Sequence, residues 1–440
     1  MLTAWNDDQR LRDIATHVPR FFYRGRVIKV IGLVIEASLP HVPIGALCLI
    51  TLNHTHAKVE AEVIGLRGDI AVLMPISGSQ GIGIGDEVQM MRSSVTVGVS
   101  EKLLGRIVNG AGEIMDQGPS VIFEREYPIY ANPIPAMNRK LISDPLSLGI
   151  RAIDGFLTCA LGQRMAIMAG SGVGKSTLLG MMARNAKVDV NVIGLIGERG
   201  REVREFIERD LGPEGLSRSV IVIATSDAPA LLRMRAAFVA TTIAEYFRDQ
   251  GKRVLLMMDS LTRYAMATRE VGLSLGEPPT VKGYTPSLFS NLPRLLERAG
   301  TTETDSSITG LYTILTEGDD IQDPIADAVR AIVDGHIVLS RKLNAMGHYP
   351  PIDVLQSLSR VMSHVIQVGH AESYKKMRRY MALYQEMEDF IKMGVYTPGK
   401  NTELDCAIEK NEEIQKFLRQ NIDEKTTLTE SVEWLRQLSL

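Results

Sequence analysis

Met168-Ala169-Gly170-Ser171-Gly172-Val173-Gly174-Lys175-Ser176-Thr177 decides the reading of this chain. An apolar run, Arg164 to Met168, precedes it, and a helix-compatible run, Leu178 to Ala186, follows. Strand, glycine loop and helix in that order are the context a phosphate-binding loop (P-loop) requires. Glycines let the backbone turn tightly and aim several N–H groups at one anion, and the helix that follows adds the positive end of its dipole. In such a loop Gly170, Ser171, Gly172, Val173, Gly174, Lys175, Ser176 and Thr177 wrap the phosphates of a nucleotide. Lys175 reaches the β- and γ-phosphates, and the Ser176 hydroxyl holds Mg²⁺. The usual first glycine of the motif is Ala169 here, which serves only if its φ is negative.

Two further carboxylates complete a candidate site. Val254-Leu255-Leu256-Met257-Met258-Asp259 is an apolar strand ending in an acid, the place from which a P-loop protein holds its metal. Glu198, in Ile196-Gly197-Glu198-Arg199-Gly200-Arg201-Glu202, follows the strand Val190–Ile196. That strand is expected to lie next to the P-loop strand, where Glu198 can polarise a water in line with the γ-phosphate and Arg199 can reach phosphate oxygens. The competing reading of this segment is a surface cluster in which Arg201, Glu202, Arg204 and Glu205 pair along a helix.

The rest of the chain supplies a frame. Its 440 residues are 45% hydrophobic and 23% charged, a soluble globular composition of two or three domains. A formal net charge of -3 gives no bulk electrostatic reason to expect nucleic-acid binding. Cys48, Cys159 and Cys406 are too few and too scattered for a disulfide framework or a cysteine zinc site. The first residues carry Asp7, Asp8, Arg10, Arg12 and Asp13 in place of an apolar signal core, and no run of about 18 apolar residues spans a membrane, so any membrane role is read as peripheral. Residues 1–20 fit a short amphipathic helix with Leu11, Ile14 and Val18 on one face.

Residues 21–92 read as short strands, among them Arg26–Ile31, Lys58–Ile64 and Ile70–Met74, with turns at Arg67-Gly68-Asp69 and Gly81–Gly85. They predict a small β-barrel. Residues 92–150 are a connecting region rich in turn formers and prolines. Strand-like runs at Val190–Ile196, Val220–Ala224, Val254–Met258, Gly310–Leu315 and Gly335–Leu339 alternate with helical runs at Arg201–Arg209, Ala228–Gln250 and Leu288–Ala299. This is an α/β core with a largely parallel, buried sheet, assigned to residues 93–365. Residues 366–440 read as helices alone, Tyr374–Met393 and Leu404–Arg419.

With these segments in place the chain resembles the protein-export ATPases of flagellar and type III secretion systems, relatives of the catalytic β subunit of rotary ATP synthases. The resemblance spans nearly the whole chain. It is carried by Ala169–Thr177, Leu195–Val203, Ala244–Gly251, Leu255–Tyr264, Asp334–Arg341 and His348–Val354. Alanine at the first P-loop position also occurs in that family. The resemblance implies a multidomain α/β protein: N-terminal β-barrel, central RecA-like P-loop domain and C-terminal all-helical domain. It places Glu198 on the catalytic glutamate, Tyr349 where an aromatic stacks on adenine, and Arg360, in Ser357-Leu358-Ser359-Arg360-Val361, on an arginine finger that enters the neighbouring subunit. The implied ligands are ATP and Mg²⁺, and the implied assembly is a homohexamer with sites between protomers. Implied partners are a stator-like regulator on residues 1–20, a central stalk protein, export chaperones, secreted cargo and the export gate. The implied location is cytoplasmic, at the inner face of the plasma membrane.

The alternative is the catalytic subunit of a rotary proton-translocating ATPase. Gly197-Glu198-Arg199-Gly200-Arg201-Glu202-Val203, where synthase β subunits carry GERTREG, argues against it, as does the lack of an acidic DELSEED-like loop; Asn411-Glu412-Glu413 is a poor substitute. A hexameric RNA-translocating motor shares the core, but near-neutral charge and 5% aromatic content offer neither basic groove nor stacking platform. A non-enzymatic binding subunit is expected to lack a usable Lys175, Glu198 or Arg360, and this chain has all three. Gly318–Pro324 and the ending Asp423–Thr427 look closer to flagellar members, while residues 151–160 and 224–251 fit either system.

Overall fold

The computed structural model of the chain describes residues 23–316 and 323–440. The expected regulator-binding segment 1–20, and residues 318–322 of the stretch that looks flagellar, lie outside them. Two compact units divide between Thr96 and Val97.

In the first unit β1 (Arg24–Ile31), β2 (Val34–Ser38), β3 (Leu47–Thr51), β4 (Lys58–Arg67), β5 (Ile70–Pro75) and β6 (Glu87–Arg92) close into a barrel, in the order β1-β2-β5-β4-β3-β6. Every neighbouring pair is antiparallel. Alternate residues point inward, so Val27, Ile35, Cys48, Ile50, Ala61, Val63, Leu73 and Val88 fill the interior at 1% exposure or less. Closure leaves no strand edge to pair with another chain.

Past a strand at Thr96–Val99, which pairs with Arg125–Pro128, the second unit includes β7 (Ile107–Asn109) and the short helix α1 (Arg151–Phe156). Then come β8 (Arg164–Ala169), α2 (Lys175–Asn185), β9 (Val190–Ile196), α3 (Gly200–Glu205), β10 (Ser219–Ala224), α4 (Ala230–Asp249), β11 (Arg253–Asp259), α5 (Leu261–Ser274) and α6 (Pro286–Leu296). β12 (Ser307–Leu315), α7 (Pro324–Ile332), β13 (Gly335–Leu339) and β14 (Ile352–Ser359) complete the α/β part. The main sheet runs β14-β13-β8-β12-β11-β9-β10-β7. Its neighbours are parallel except β14, which returns antiparallel along β13. β9 and β10 are buried at every residue, as a sheet covered on both faces demands.

This order corrects one expectation. The strand before Glu198, β9, is not beside the P-loop strand β8: β12 and β11 stand between them. The crossover through α2 carries the chain past two places that later strands fill. Helix packing over the sheet, not adjacency in sequence, fixes where a crossover lands. The turn-rich connecting region also contributes a strand, β7, which hydrogen-bonds in parallel to β10 at the sheet edge.

After β14 the chain forms α8 (Val368–Lys392), α9 (Thr402–Leu418) and α10 (Leu428–Ser439). The sequence reading names no element over α10. Its start is fixed by a capping box: the Thr427 hydroxyl accepts from the Glu430 N–H and the Glu430 carboxylate accepts from the Thr427 N–H. The three helices share one core with the sheet domain, because Met377, Ile414, Phe417, Leu418, Leu435 and Leu438 belong to the same buried cluster as Ile167, Leu178 and Leu195. Arg151 of α1 is 3% exposed and donates to the Phe417 and Arg419 carbonyls, while its guanidinium lies over the Trp434 ring. On α4, Glu245 forms a buried bidentate pair with Arg298, which also donates to the Ile129 carbonyl and the Thr242 hydroxyl. Among the described residues no helix is long and apolar enough to cross a membrane.

Candidate active site

The P-loop leaves the sheet at its C-terminal edge. β8 ends at Ala169, level with Leu315 of β12 and Leu339 of β13. Ala169 ends its strand without a positive φ, so its methyl meets the condition set by the sequence. Gly174 takes φ 86° as it caps α2, and a Cβ there would stand 3.0 Å from Tyr349 Cε2. Glycine is therefore required at 174 twice over, by backbone conformation and by contact. Val173, 1% exposed, anchors the loop in the core.

Lys175 and the two predicted carboxylates come together. Lys175 Nζ lies 2.5 Å from Asp259 Oδ1 and 3.4 Å from Glu198 Oε1. Asp259 ends β11 and Glu198 follows β9, so the two acids sit on strands that pair directly, Leu195 level with Asp259. β12 separates them from the P-loop strand, and the length of the lysine side chain spans that gap. The Thr313 hydroxyl of β12 donates to Asp259 Oδ1 at 2.7 Å, a partner the sequence did not announce.

The electrostatics follow from burial. Desolvation pulls the Lys175 ammonium down, but the Asp259 and Glu198 carboxylates outweigh it and its pKa ends above the usual lysine value. Burial drives the Glu198 carboxyl up, Lys175 opposes, Asp259 reinforces, and the group reaches about 7. Two carboxylates share one ammonium here. Burial and Asp259 thus hold the Glu198 carboxyl above the usual glutamate range, the kind of shift that gathers at functional sites.

Tyr349 packs against Gly174 on the other side of the loop. Burial pushes its hydroxyl up to about 12. Its carbonyl accepts from the Gln420 N–H at 2.9 Å, which joins it to the segment following α9. Between Tyr349, Gly347 and residues 419–424 opens a cavity of about 820 Å³, large enough for a base and ribose. Asn344, absent from the sequence reading, reaches the Gly172 carbonyl at 3.5 Å.

The two arginines behave differently. Arg199 is 79% exposed and reaches Glu202 at 3.7 Å, so the structure does not bring it to the P-loop. Arg263, to which the sequence reading gave no role, lays its aliphatic stem where a Gly197 Cβ would sit, at 2.8 Å, one residue from Glu198, while its Nη1 faces Met266 Sδ at 3.8 Å. Its Nε is buried with no hydrogen-bond partner among the described residues.

Arg360 is exposed and follows β14, which runs antiparallel to the others. Its N–H donates to the Asp334 carbonyl, and its guanidinium to the Val333 and Arg330 carbonyls. Asp334 in turn meets Arg164, the first residue of β8. Arg360 thus lies at the opposite end of the sheet from Lys175, separated by the length of β8, roughly 17 Å for five residue steps.

Comparison with known proteins agrees with this architecture along the chain. The ATP synthase alpha/beta family's beta-barrel domain matches residues 27–92 and its nucleotide-binding domain residues 149–359. The T3SS EscN ATPase C-terminal domain matches residues 366–437. The flagellum-specific ATP synthase of Bacillus subtilis is 49% identical, covering 94% of this chain and 95% of its own. The chain belongs to the flagellar and type III secretion ATPases. The SPI-2 type 3 secretion system ATPase of Salmonella typhimurium is 50% identical over 91% of each chain, so members of both branches match at near-equal identity. Among solved structures, the assembled ATPase EscN in complex with its central stalk EscO, from the enteropathogenic E. coli type III secretion system, has a TM-score of 0.88 and 44% identity. It covers 94% of this chain and 100% of its own. The chain is therefore a secretion-system ATPase, built as barrel, nucleotide-binding α/β domain and helical C-terminal region.

Proposed function

We propose that this ATPase hydrolyses Mg²⁺·ATP at sites shared between neighbouring protomers of a homohexameric ring, and that hydrolysis energises protein export by releasing chaperones and unfolding cargo. The observation that carries this reading is the position of Arg360. It is exposed, and the length of β8 keeps it from the Lys175 site of its own chain. An arginine finger placed so serves a site only in the next protomer, where it would stabilise the charge of the transferring phosphoryl group.

In the proposed site Gly170–Thr177 cradle the phosphates, with Lys175 leaving its two carboxylates for the β- and γ-phosphates. Glu198 takes the proton of the attacking water, and Tyr349 stacks on the base. Arg263, whose Nε is buried without a hydrogen-bond partner among the described residues, would have to turn its guanidinium from Met266 to meet the phosphates, as Arg199 would have to swing inward from Glu202. The residues fit Mg²⁺: Ser176 and Asp259 offer hard oxygen donors, and two carboxylates facing one ammonium leave negative charge for a divalent ion to balance. When bound, the ion would supply neutralisation of phosphate charge.

The central stalk of the EscN structure supports an equivalent partner here. A stator-like regulator on residues 1–20, export chaperones, cargo and a peripheral place at the export gate complete the proposal, with no nucleic-acid partner. The rotary proton-translocating alternative is not favoured, since residues 366–437 match the secretion-type C-terminal domain. The test is ATP hydrolysis per protomer against protein concentration, with Mg²⁺ and with sizing at each dilution. A specific rate that climbs as rings form, and vanishes in Arg360→Ala, is expected. A fully active monomer would overturn the shared site.

A further inference from the structure

The end of the sheet that carries Arg360 is tied together by a chain of charged side chains that the reaction itself does not use. Asp334 Oδ2 accepts from the Arg164 N–H at 3.0 Å and from Arg164 Nε at 3.3 Å, and Oδ1 faces Arg164 Nη2 at 3.5 Å. Arg164 also pairs with Glu297, just past α6. Arg139 grips Glu297 through its carboxylate at 3.4 Å and its carbonyl at 2.6 Å. Gln163 adds a bond to the Ser359 hydroxyl at 3.1 Å, one residue before Arg360. The backbone of Arg360 hangs from the Asp334 carbonyl at 2.9 Å.

Packing does little to hold Arg360 in place. A cavity of about 490 Å³ opens beside the network, lined by Arg139, Arg164, Asp334, Val361 and His364 among others. Arg360 is exposed, and its own guanidinium bonds are long, 3.4 and 3.5 Å. Asp334 meets Arg164 three times instead, through the backbone N–H and through two guanidinium nitrogens. Arg164 opens the strand whose other end becomes the P-loop.

We infer that Asp334, through its fork-like hold on Arg164, is the positioning residue for Arg360, and that this clasp couples the finger offered to a neighbour to the P-loop strand of the chain that offers it. The inference rests on the shared-site reading, and it makes a directional prediction. Asp334 matters to the protomer that donates the finger and not to the one that receives it.

Rings mixed from two inactive chains test this. Lys175→Ala disables a chain's own site but leaves its finger, while Arg360→Ala leaves the site and removes the finger. The mixture should regain activity. Asp334→Asn is then added to one chain at a time. On the Lys175→Ala chain it should lower the regained rate about tenfold or more, the scale of a misplaced catalytic group. On the Arg360→Ala chain it should change the rate less than about twofold, since that chain only receives a finger, and nucleotide binding by that chain should be unchanged. Equal losses in both positions, or none in either, would overturn the inference. Failure of the parent mixture to regain activity despite proven co-assembly would instead sink the shared site. If Asp334→Asn does not fold, Arg164→Lys, which keeps the charge but loses the fork, carries the same comparison.

Discussion

Lowering the pH should slow this ATPase through one identifiable carboxyl group. Glu198 is proposed to accept the proton of the attacking water and so must be ionised in the free enzyme. Burial and the nearby Asp259 raise its pKa to about 7 against the opposing pull of Lys175. kcat/KM should therefore fall as the pH is lowered through the region of about 7 and below. The same shift acts on stability with the opposite benefit. Between the ordinary glutamate range and about 7, the folded nucleotide-free protein holds a proton that the unfolded chain has lost. The contribution of Glu198 is therefore most favourable at low pH and is lost as pH rises through that window. Glu198→Gln should abolish hydrolysis yet melt at a higher temperature than the parent at pH 8, and the difference should disappear at pH 5. The assays are initial rates at ATP well below KM with saturating Mg²⁺, and melting curves without nucleotide. Glu198→Asp provides the control, because its shorter side chain sits differently against Asp259 and should move the ascending limb. A limb that stays in place when Glu198 is shortened belongs to the nucleotide and refutes the assignment, as does a profile flat from pH 6 to 8.

Three other perturbations test the geometry. Tyr349→Ala should raise the KM for ATP about 5- to 150-fold with kcat little changed, as loss of a base-stacking ring worth about 1–3 kcal/mol requires, and the measurement is steady-state kinetics. Gly174→Ala should lower nucleotide affinity and destabilise the fold by about 1 kcal/mol or more, because φ 86° suits no side chain and the new methyl meets Tyr349; binding and denaturant melts read both effects. Glu245→Ala should cost about 3–5 kcal/mol by leaving the Arg298 guanidinium buried without its carboxylate, measured as a lowered denaturant midpoint.

Much of this molecule could be read from the sequence where one local signal decides one local structure. The apolar runs at Val190–Ile196 and Gly335–Leu339 are the strands β9 and β13 to the residue. The barrel was legible from Arg26–Ile31 and Lys58–Ile64, which alternate or lie beside sharp turns. The five-residue β2 and β3 carry too short a pattern to stand out. α10 did carry a signal, Thr427 three residues before Glu430, which the helical reading passed over. Strand order is another matter. Nothing in the run Val190–Ile196 says that two later strands will come between it and β8. The same limit applies to side-chain direction: Glu198 and Arg199 are neighbours in sequence, but one turns to Lys175 and the other outward to Glu202. Thr313 was illegible for the converse reason, since it reaches Asp259 only through strand pairing that assembles distant segments.

The way the cores are divided determines where this protein can be taken apart. The barrel closes its own hydrogen-bond ring and holds its own buried cluster, so a junction just after β6, ahead of the strand Thr96–Val99 that pairs with Arg125–Pro128, cuts no sheet ladder. A chimera exchanged there between flagellar and injectisome relatives keeps each hydrophobic interior from a single parent. A junction near residue 365, where the sequence texture changes from mixed to helical, would divide one interior between two parents. Phe417 against Phe156, and Arg151 over Trp434, would each have to find a foreign partner. Recombination that respects folding can therefore move the barrel core as one piece. The C-terminal helices must travel with the P-loop domain they are built into.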